Sequence, residues 1–427
     1  MTSQDLWAKA FLGDCEACVP RVLYVSYDGV LEPLGESQVI AYLEYLSRQG
    51  RITLISFEKK WDLAETTRVE KMRSRLGRRG IEWVPLRYHK RPLVASTAYD
   101  VLRALTVSIV LTRSRRIQLV HARGYVAALV GLALKRLFGM RFLFDMRGFW
   151  ADEKVDGGHW SRDSQIYAMT KQCERSFLES ADAVVCLTEE GAKAIPELGY
   201  RLPPTTSLRV IPTCTDLQAF SPGPKDKALV EALGLSGFCV VGCVGTMSNW
   251  YLRQAMLEYL SLMVKKLERM KILIVTRDDY QTLYEDAMAA GIPGERLVLT
   301  QADFSRMPSY IRLMDLGMFF IRVCFSKRGS AATKLGEFLA CGVPVIINDG
   351  VGDSGSIVRR HSAGVVLANT TIEEFEASLT TVREVLRDPG IGKRCREVAE
   401  RYFDLEAGVR QYHELYTELI SADAAQR

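Results

Sequence analysis

The sequence predicts an α/β protein made of two doubly wound parallel-sheet domains, and three observations carry that prediction. Short apolar runs alternate with helix-patterned stretches along nearly the whole chain, the pattern of parallel strands joined by helical crossovers. At 427 residues the chain exceeds one hydrophobic core, since single cores stop growing at roughly 250 to 300 residues. The alternation lapses once, between Pro212 and Pro224, where Pro222 and Pro224 flank Gly223, and then begins again.

Residues 1–20 read as an extension and residues 21–212 as the first domain. Its strands are Arg21–Ser26, Ile52–Ser56, Ile81–Leu86, Gln118–His121, Arg141–Asp145, Ala183–Leu187 and Leu208–Ile211. After the first strand come the loop Tyr27–Glu36 and a helix from near Ser37, with Val39, Ile40, Leu43 and Leu46 on one stripe and Gly50 as its stop. Residues 213–225 form the linker. The second domain, 226–400, has strands at Cys239–Val244, Lys271–Val275, Leu297–Leu299, Met318–Val323, Val343–Ile347 and Gly364–Leu367. Residues 401–427 hold a last helix, Leu405–Ile420, with Val409, Tyr412, Leu415, Tyr416 and Leu419 on one side.

Composition narrows the class. The chain is 48% hydrophobic and 25% charged, an ordinary globular balance, and a net charge of +5 is too small to imply nucleic acid. Between Trp83 and Val120, however, seven Arg or Lys face one acid, Asp100, and enclose the apolar stretch Val101–Leu111. A solvated face is the plain explanation; the mixture also suits an anionic membrane surface. No run of about 18 uncharged apolar residues is present, and residues 1–20 lack a basic start followed by an apolar core. The expected location is therefore cytoplasmic, with peripheral contact at the inner face of the membrane. Most of the ten cysteines lie in apolar runs, and Cys15 and Cys18 form the one C-x-x-C, too little for a zinc site.

The most informative stretch is Phe325–Asp353. Ser330 reads as an N-cap, Leu335, Phe338 and Leu339 as a packing face, Gly342 as a left-handed stop, and Pro344 as a block to continuation. Ser330, Lys334 and Glu337 then stack at i, i+4 and i+7 beside a helix N-terminus, where free amides favour an anion. A diphosphate at the helix start with ribose hydroxyls on the acid fits that layout; an ordinary capped surface helix fits it too.

Two segments carry a resemblance. TKLGEFLACGVPVI with the following GVGD resembles the donor-site segment of bacterial family 4 (group 1) glycosyltransferases of the GT-B fold. The loop matched by Asp28, Gly29, Pro33, Leu34, Gly35, Ser37 and Gln38 is similar to that family's first-domain loop. The resemblance implies two Rossmann-like halves facing a cleft, with the last helix returning to the first half. It implies a retaining transfer of sugar from a nucleotide-diphosphate sugar to a saccharide or lipid-linked acceptor, in polysaccharide or glycoconjugate assembly. It also implies a donor site drawn from Gly35, Gly245, Thr246, Ser330, Thr333, Lys334 and Glu337. Many members carry a pair of glutamates seven residues apart; here the first position is Gly329.

Sugar transfer from a nucleotide diphosphate builds negative charge on the leaving phosphate, so a cation must be aimed there. The loop after Val244, GTMSNWYL, has no cation before Arg253, which makes Lys327 the leading candidate and Arg277 a second; Lys327 also reads as a solvated loop residue. No cofactor or metal is expected: there is no D-x-D, and helix dipole and lysines can take the place of magnesium. On the acceptor side, His121, Arg123, Asp145 and Arg147 stand at strand ends. Asp145 reads either as a base for the acceptor hydroxyl or as a salt-bridge partner of Arg147. Two other functions remain open at this stage: a non-catalytic nucleotide-sugar binder, and a non-hydrolysing epimerase of the same fold.

Overall fold

The computed structural model describes residues 19–426, so the Cys15/Cys18 pair lies outside the described residues. The first domain is a seven-stranded sheet built from β1 (Arg21–Ser26), β2 (Arg51–Glu58), β3 (Glu82–Arg87), β4 (Leu119–Arg123), β5 (Arg141–Asp145), β6 (Ala183–Cys186) and β7 (Ser207–Val210). Their order is β3-β2-β1-β4-β5-β6-β7 and every pair is parallel. The second is a six-stranded parallel sheet in the order β10-β9-β8-β11-β12-β13. Its strands are β8 (Cys239–Val244), β9 (Met270–Val275), β10 (Leu297–Thr300), β11 (Leu316–Phe319), β12 (Val345–Asn348) and β13 (Gly364–Leu367). Strands buried on both faces must be apolar throughout, which is why runs such as Ile272–Val275 and Val345–Ile347 announce themselves in the sequence.

Each sheet reverses strand order once, between β1 and β4 and between β8 and β11. Crevices beyond the carboxyl ends of strands at such reversals are where doubly wound sheets bind ligands. The loops after β1, β4, β8 and β11 therefore define the place to look.

One face of the first sheet is covered by the terminal helix, Leu405–Gln426. Leu405, Val409, Tyr412, Leu415, Tyr416 and Leu419 are buried in one cluster with Val22, Tyr24, Leu119 and Leu143. The chain thus crosses between domains twice. The two crossings run side by side: Thr215 N donates to Phe403 O at 2.7 Å and Leu405 N to Thr215 O at 3.1 Å.

Several boundaries differ from the sequence reading. The helix expected near Ser37 begins as a turn at Pro33–Gly35 and passes through a π turn, Glu36–Ile40, before the α-helix Ala41–Leu46. Gly50 is not its left-handed stop; the helix has already ended, and Gly50 is not among the positive-φ glycines. The strand expected at Met318–Val323 is Leu316–Phe319. It ends early because the Asn348 side chain takes over the pairing: its Oδ1 accepts from Ile321 N at 2.8 Å and its Nδ2 donates to Ile321 O at 2.9 Å.

The helix of the 325–353 segment is Thr333–Ala340, so Ser330 is not its N-cap. Residues Phe325–Gly329 wind into a 3-10 turn, and Ser330 N is spent on Lys327 O at 3.2 Å, leaving Ser330 in extended backbone three residues short of the helix. The far end is as expected. Gly342 has φ +77°, Gly342 N bonds Leu339 O, and Val343 N bonds Phe338 O, a Schellman-type stop.

Candidate donor site and interdomain cleft

β8 leads into Gly245, whose φ of +76° turns the chain sharply toward the loop 245–252. That loop is fastened by an acid at the end of β9: Asp278 Oδ2 accepts from Met247 N at 2.8 Å and from Thr246 Oγ1 at 3.2 Å. Thr246 Oγ1 is also 2.6 Å from Ser248 Oγ. Thr246 is therefore a loop-fixing hydroxyl, and Gly245, held at a positive φ, borders the space in which the Lys334 ammonium stands. The Lys334 ammonium stands 3.6 Å from where a Cβ on Gly245 would lie and 3.7 Å from the Tyr251 ring centroid.

Lys334 and Glu337 face this space from one turn of the Thr333–Ala340 helix. Among the described residues neither side chain makes a hydrogen bond or an ion pair; they interact only electrostatically. Desolvation lowers the Lys334 pKa to about 8, opposed by the charges of Cys243, Glu337 and Asp278. Desolvation likewise raises that of Glu337, 8% exposed, to about 7, opposed by Lys334. A cation and an acid both short of partners beside a helix N-terminus are prepared for a ligand that brings an anion and hydroxyl donors. Gly245→Ala is expected to weaken any anion on Lys334 about tenfold, since a Cβ there strains the left-handed backbone beside the ammonium. A calorimetric titration with a nucleoside diphosphate checks it.

The other expected donor cations are occupied. Lys327, 5% exposed, donates to Glu153 Oε1 at 2.8 Å and lies 3.7 Å from the Trp250 ring centroid. Because Glu153 belongs to the first-domain helix Trp150–Asp156, Lys327 is a tie between domains. Arg277 is exposed and pairs with Asp303 at 3.3 Å. Gly35 serves the fold directly: a Cβ there would lie 2.1 Å from Gly29 O, so the loop can close only on glycine.

More ties follow the same seam. Asp353, from the second domain, accepts from Glu189 N at 2.7 Å and Glu190 N at 3.1 Å, capping the first-domain helix Glu189–Glu197. Thr188 Oγ1 donates to Arg328 O at 2.5 Å and Ser326 N to Asp156 Oδ2 at 3.0 Å. Position 329, where the resemblance puts the first glutamate of the pair, is crowded by this seam: a Cβ on Gly329 would lie 3.1 Å from Phe149 Cδ2 and 3.2 Å from Gly148 Cα.

In the first domain the expected residues meet in one polar chain. Arg123 Nη1 bonds Asp28 Oδ2 at 2.5 Å, and Arg123 and Arg147 share Gln38 Oε1 at 2.8 and 3.2 Å. Gln38 Nε2 crosses the cleft to Thr333 Oγ1, at the first turn of the Lys334 helix, at 3.1 Å. Arg147 stands 3.7 Å from Asp145 Oδ1, His121 Nε2 3.5 Å from Asp145 Oδ2, and His121 Nδ1 2.7 Å from the Tyr416 hydroxyl. Asp145 is 2% exposed; burial pushes its pKa up, but Arg147 and then His121 outweigh that and hold it below the usual range. Burial lowers the pKa of His121.

Sequence reasoning missed Glu58, which holds the 28–31 loop by accepting from Val30 N at 2.9 Å and Leu31 N at 3.2 Å. It also missed Asp278 as the anchor of loop 245–252 and Asp353 as a cross-domain cap. A lone acid at a strand end carries no local signal of its partner.

Residues 44–214 match the family described as glycosyl transferase 4-like domain. Nothing among the curated proteins matches the chain. Solved structures similar to it include sucrose-phosphate synthase from Thermosynechococcus elongatus, at 16% identity and TM-score 0.69 over 94% of this chain and 100% of that one. HepE from Anabaena in complex with UDP and glucose aligns at 15% identity and TM-score 0.67, over 93% and 99% of the two chains. WaaG, a glycosyltransferase involved in lipopolysaccharide biosynthesis, aligns at 13% identity and TM-score 0.65, again over 93% and 99%. These likenesses show the fold, which is GT-B.

Proposed function

We propose that this chain, whose fold is GT-B and whose residues 44–214 match the glycosyl transferase 4-like domain model, moves a sugar from a nucleotide-diphosphate donor to a saccharide or lipid-linked acceptor. The observation that carries the reading is the Lys334 and Glu337 pair, unpartnered beside Gly245. In this reading the Lys334 ammonium and the first amides of its helix take the diphosphate, and Glu337 accepts from ribose hydroxyls. As the glycosidic bond breaks, charge grows on the leaving phosphate, and a cation already in place stabilises it. HepE, whose fold is similar, has been seen with UDP and with UDP-glucose, which supports a nucleotide sugar as the ligand.

On the opposite wall, Arg147 is the proposed contact for the acceptor or transferred sugar, with Asp145 and His121 behind it fixing its charge and direction. Arg123 and Gln38 hold the same wall. Lys327 contributes when Glu153 releases it. Retention of anomeric configuration follows the resemblance, as does a reaction without metal. The acceptor is taken from the cytoplasmic face of an anionic membrane, in polysaccharide or glycoconjugate assembly.

A second reading has one observation in its favour. With position 329 crowded by Phe149 and Gly148, the acid that relatives place near the transferred sugar is replaced by glycine at a tight spot, which suits a protein that binds nucleotide sugar without turning it over. Product formation in a donor and acceptor panel separates the two.

The donor site is tested by titrating nucleoside diphosphates against wild type and Glu337→Gln across pH. The carboxylate of Glu337 forms as pH rises through about 7, and the Lys334 ammonium is lost as pH rises through about 8. Wild-type affinity should therefore peak between those values. Glu337→Gln should bind about tenfold more weakly and lose the acid limb. Wild-type affinity in the variant, with an unchanged profile, would remove Glu337 from the site.

A further inference from the structure

The helix Leu93–Arg115 carries apolar residues on its outer face as well as on its packed one. Its inward seam is Ser96, Asp100, Ala104 and Ser108, all buried at i, i+4 spacing. Two residues along an α-helix is a rotation of about 200°, so positions 94, 98, 102, 106 and 110 form the opposite stripe. That stripe reads Val94, Ala98, Leu102, Thr106 and Val110, with Leu102 63% and Val110 62% exposed. Val101, Leu105, Val107, Ile109 and Leu111 pack partly buried on the core beside that seam, and Val94, Leu102 and Val110 are left exposed on the far side, more branched apolar surface than a water-facing helix stripe carries.

Charge points the same way. The one acid on the helix, Asp100, is fully buried and accepts from His89 N at 3.0 Å and from the Tyr27 hydroxyl at 3.1 Å. The exposed charges are Arg103, Arg113, Arg115 and Arg116, and Arg115 pairs with Glu82. Beside the basic end, Leu137 and Phe138 close the neighbouring helix Gly124–Phe138 with their side chains exposed, and the Arg113 guanidinium lies 5.4 Å from the Phe138 ring centroid.

We infer that the outer face of helix 93–115, with Leu137 and Phe138, seats the protein on an anionic lipid bilayer, the apolar stripe entering the headgroup layer and Arg103, Arg113 and Arg116 pairing with phosphates. The helix is long and apolar enough to cross a membrane by length and composition. It lies on the surface instead, because Asp100 ties its inner side to His89 and Tyr27 and the seam 96–108 is packed on the first sheet. This deepens the acceptor side of the proposed function and rests on it for its purpose, while the binding itself is independent of the donor site.

The test is co-sedimentation of the full chain with phosphatidylglycerol–phosphatidylcholine vesicles and with phosphatidylcholine alone. Wild type should partition to the anionic vesicles at least about tenfold better than to the neutral ones and release with salt. Leu102→Asp with Val110→Asp, both at exposed positions, should lower partition about tenfold, and Arg113→Glu with Arg116→Glu should do the same at low salt. Unchanged partition in both double variants would overturn the inference, as would resistance of the wild type to alkaline carbonate extraction, which marks a spanning helix. A salt-insensitive dimer that Leu102→Asp dissociates, with no vesicle binding, would assign the face to a second copy and overturn it too. Nucleoside diphosphate titrations of the same variants should match wild type, so a failure here is distinguishable from a failure of the donor site.

Discussion

Replacing Lys334 by methionine is expected to weaken nucleoside diphosphate binding about a hundredfold, a loss of ~2.8 kcal/mol, while leaving the ligand-free protein no less stable. The two halves of that result come from one fact. The ammonium is desolvated without a hydrogen-bond partner, so its pKa sits at about 8 instead of 10.5. Between those values the folded protein holds fewer protons than the unfolded chain, so stability climbs with pH across that window, and below about 8 the penalty for the buried charge is present in full. Glu337 has the opposite sign: with its pKa raised from 4.5 to about 7, stability falls as pH rises through that window. Near neutral pH the empty site therefore carries both penalties, and a diphosphate with ribose hydroxyls relieves them. Methionine keeps a side chain of similar length and removes the charge that stands over Tyr251. Calorimetric titration and a thermal melt check the pair of outcomes; a lower melting temperature with undiminished affinity would show that Lys334 is structural.

Ending the chain at Asp404 is expected to prevent the first domain from folding, even though the deleted residues follow the second. The terminal helix buries Leu405, Val409, Tyr412, Leu415, Tyr416 and Leu419 against the first sheet. At roughly 1.5 to 3 kcal/mol for each such side chain, an upper estimate, their sum rivals the roughly 5 to 15 kcal/mol of a typical domain. The deletion also takes Tyr412 and Tyr416 from His121, removing its hydrogen bond and uncovering the ring. Soluble yield and near-ultraviolet circular dichroism report the result. A truncated chain that melts like wild type would mean that the first sheet closes on its own.

What the sequence made legible was set by how local the cause is. β5, β8 and β13 fall on the residues their apolar runs mark, because a strand covered on both faces needs continuous apolar side chains. The stop at Gly342 was readable because one left-handed glycine supplies it. Ser330 misled because it has the chemistry of a cap, while the 3-10 turn before it had already taken its amide. Lys327 misled in a different way: it was sought as a free cation, and its partner Glu153 lies 174 positions away. Glu58, Asp278 and Asp353 act through backbone amides far along the chain, and nothing near them spells that out.

The paired crossings at Thr215 and Asp404 bear on the order of events. Two adjacent, mutually bonded tethers put both covalent connections between the halves on a single line, and the ties at Lys327–Glu153, Asp353 and Gln38–Thr333 hold the seam beside it. The Lys334 helix lies against that line, since a Cβ on Gly336 would stand 2.5 Å from Thr215 Oγ1 and 3.2 Å from Phe403 Cβ. Points near a pivot travel least, so any parting of the halves would break those outer ties first and would displace the Lys334 helix less than the far wall.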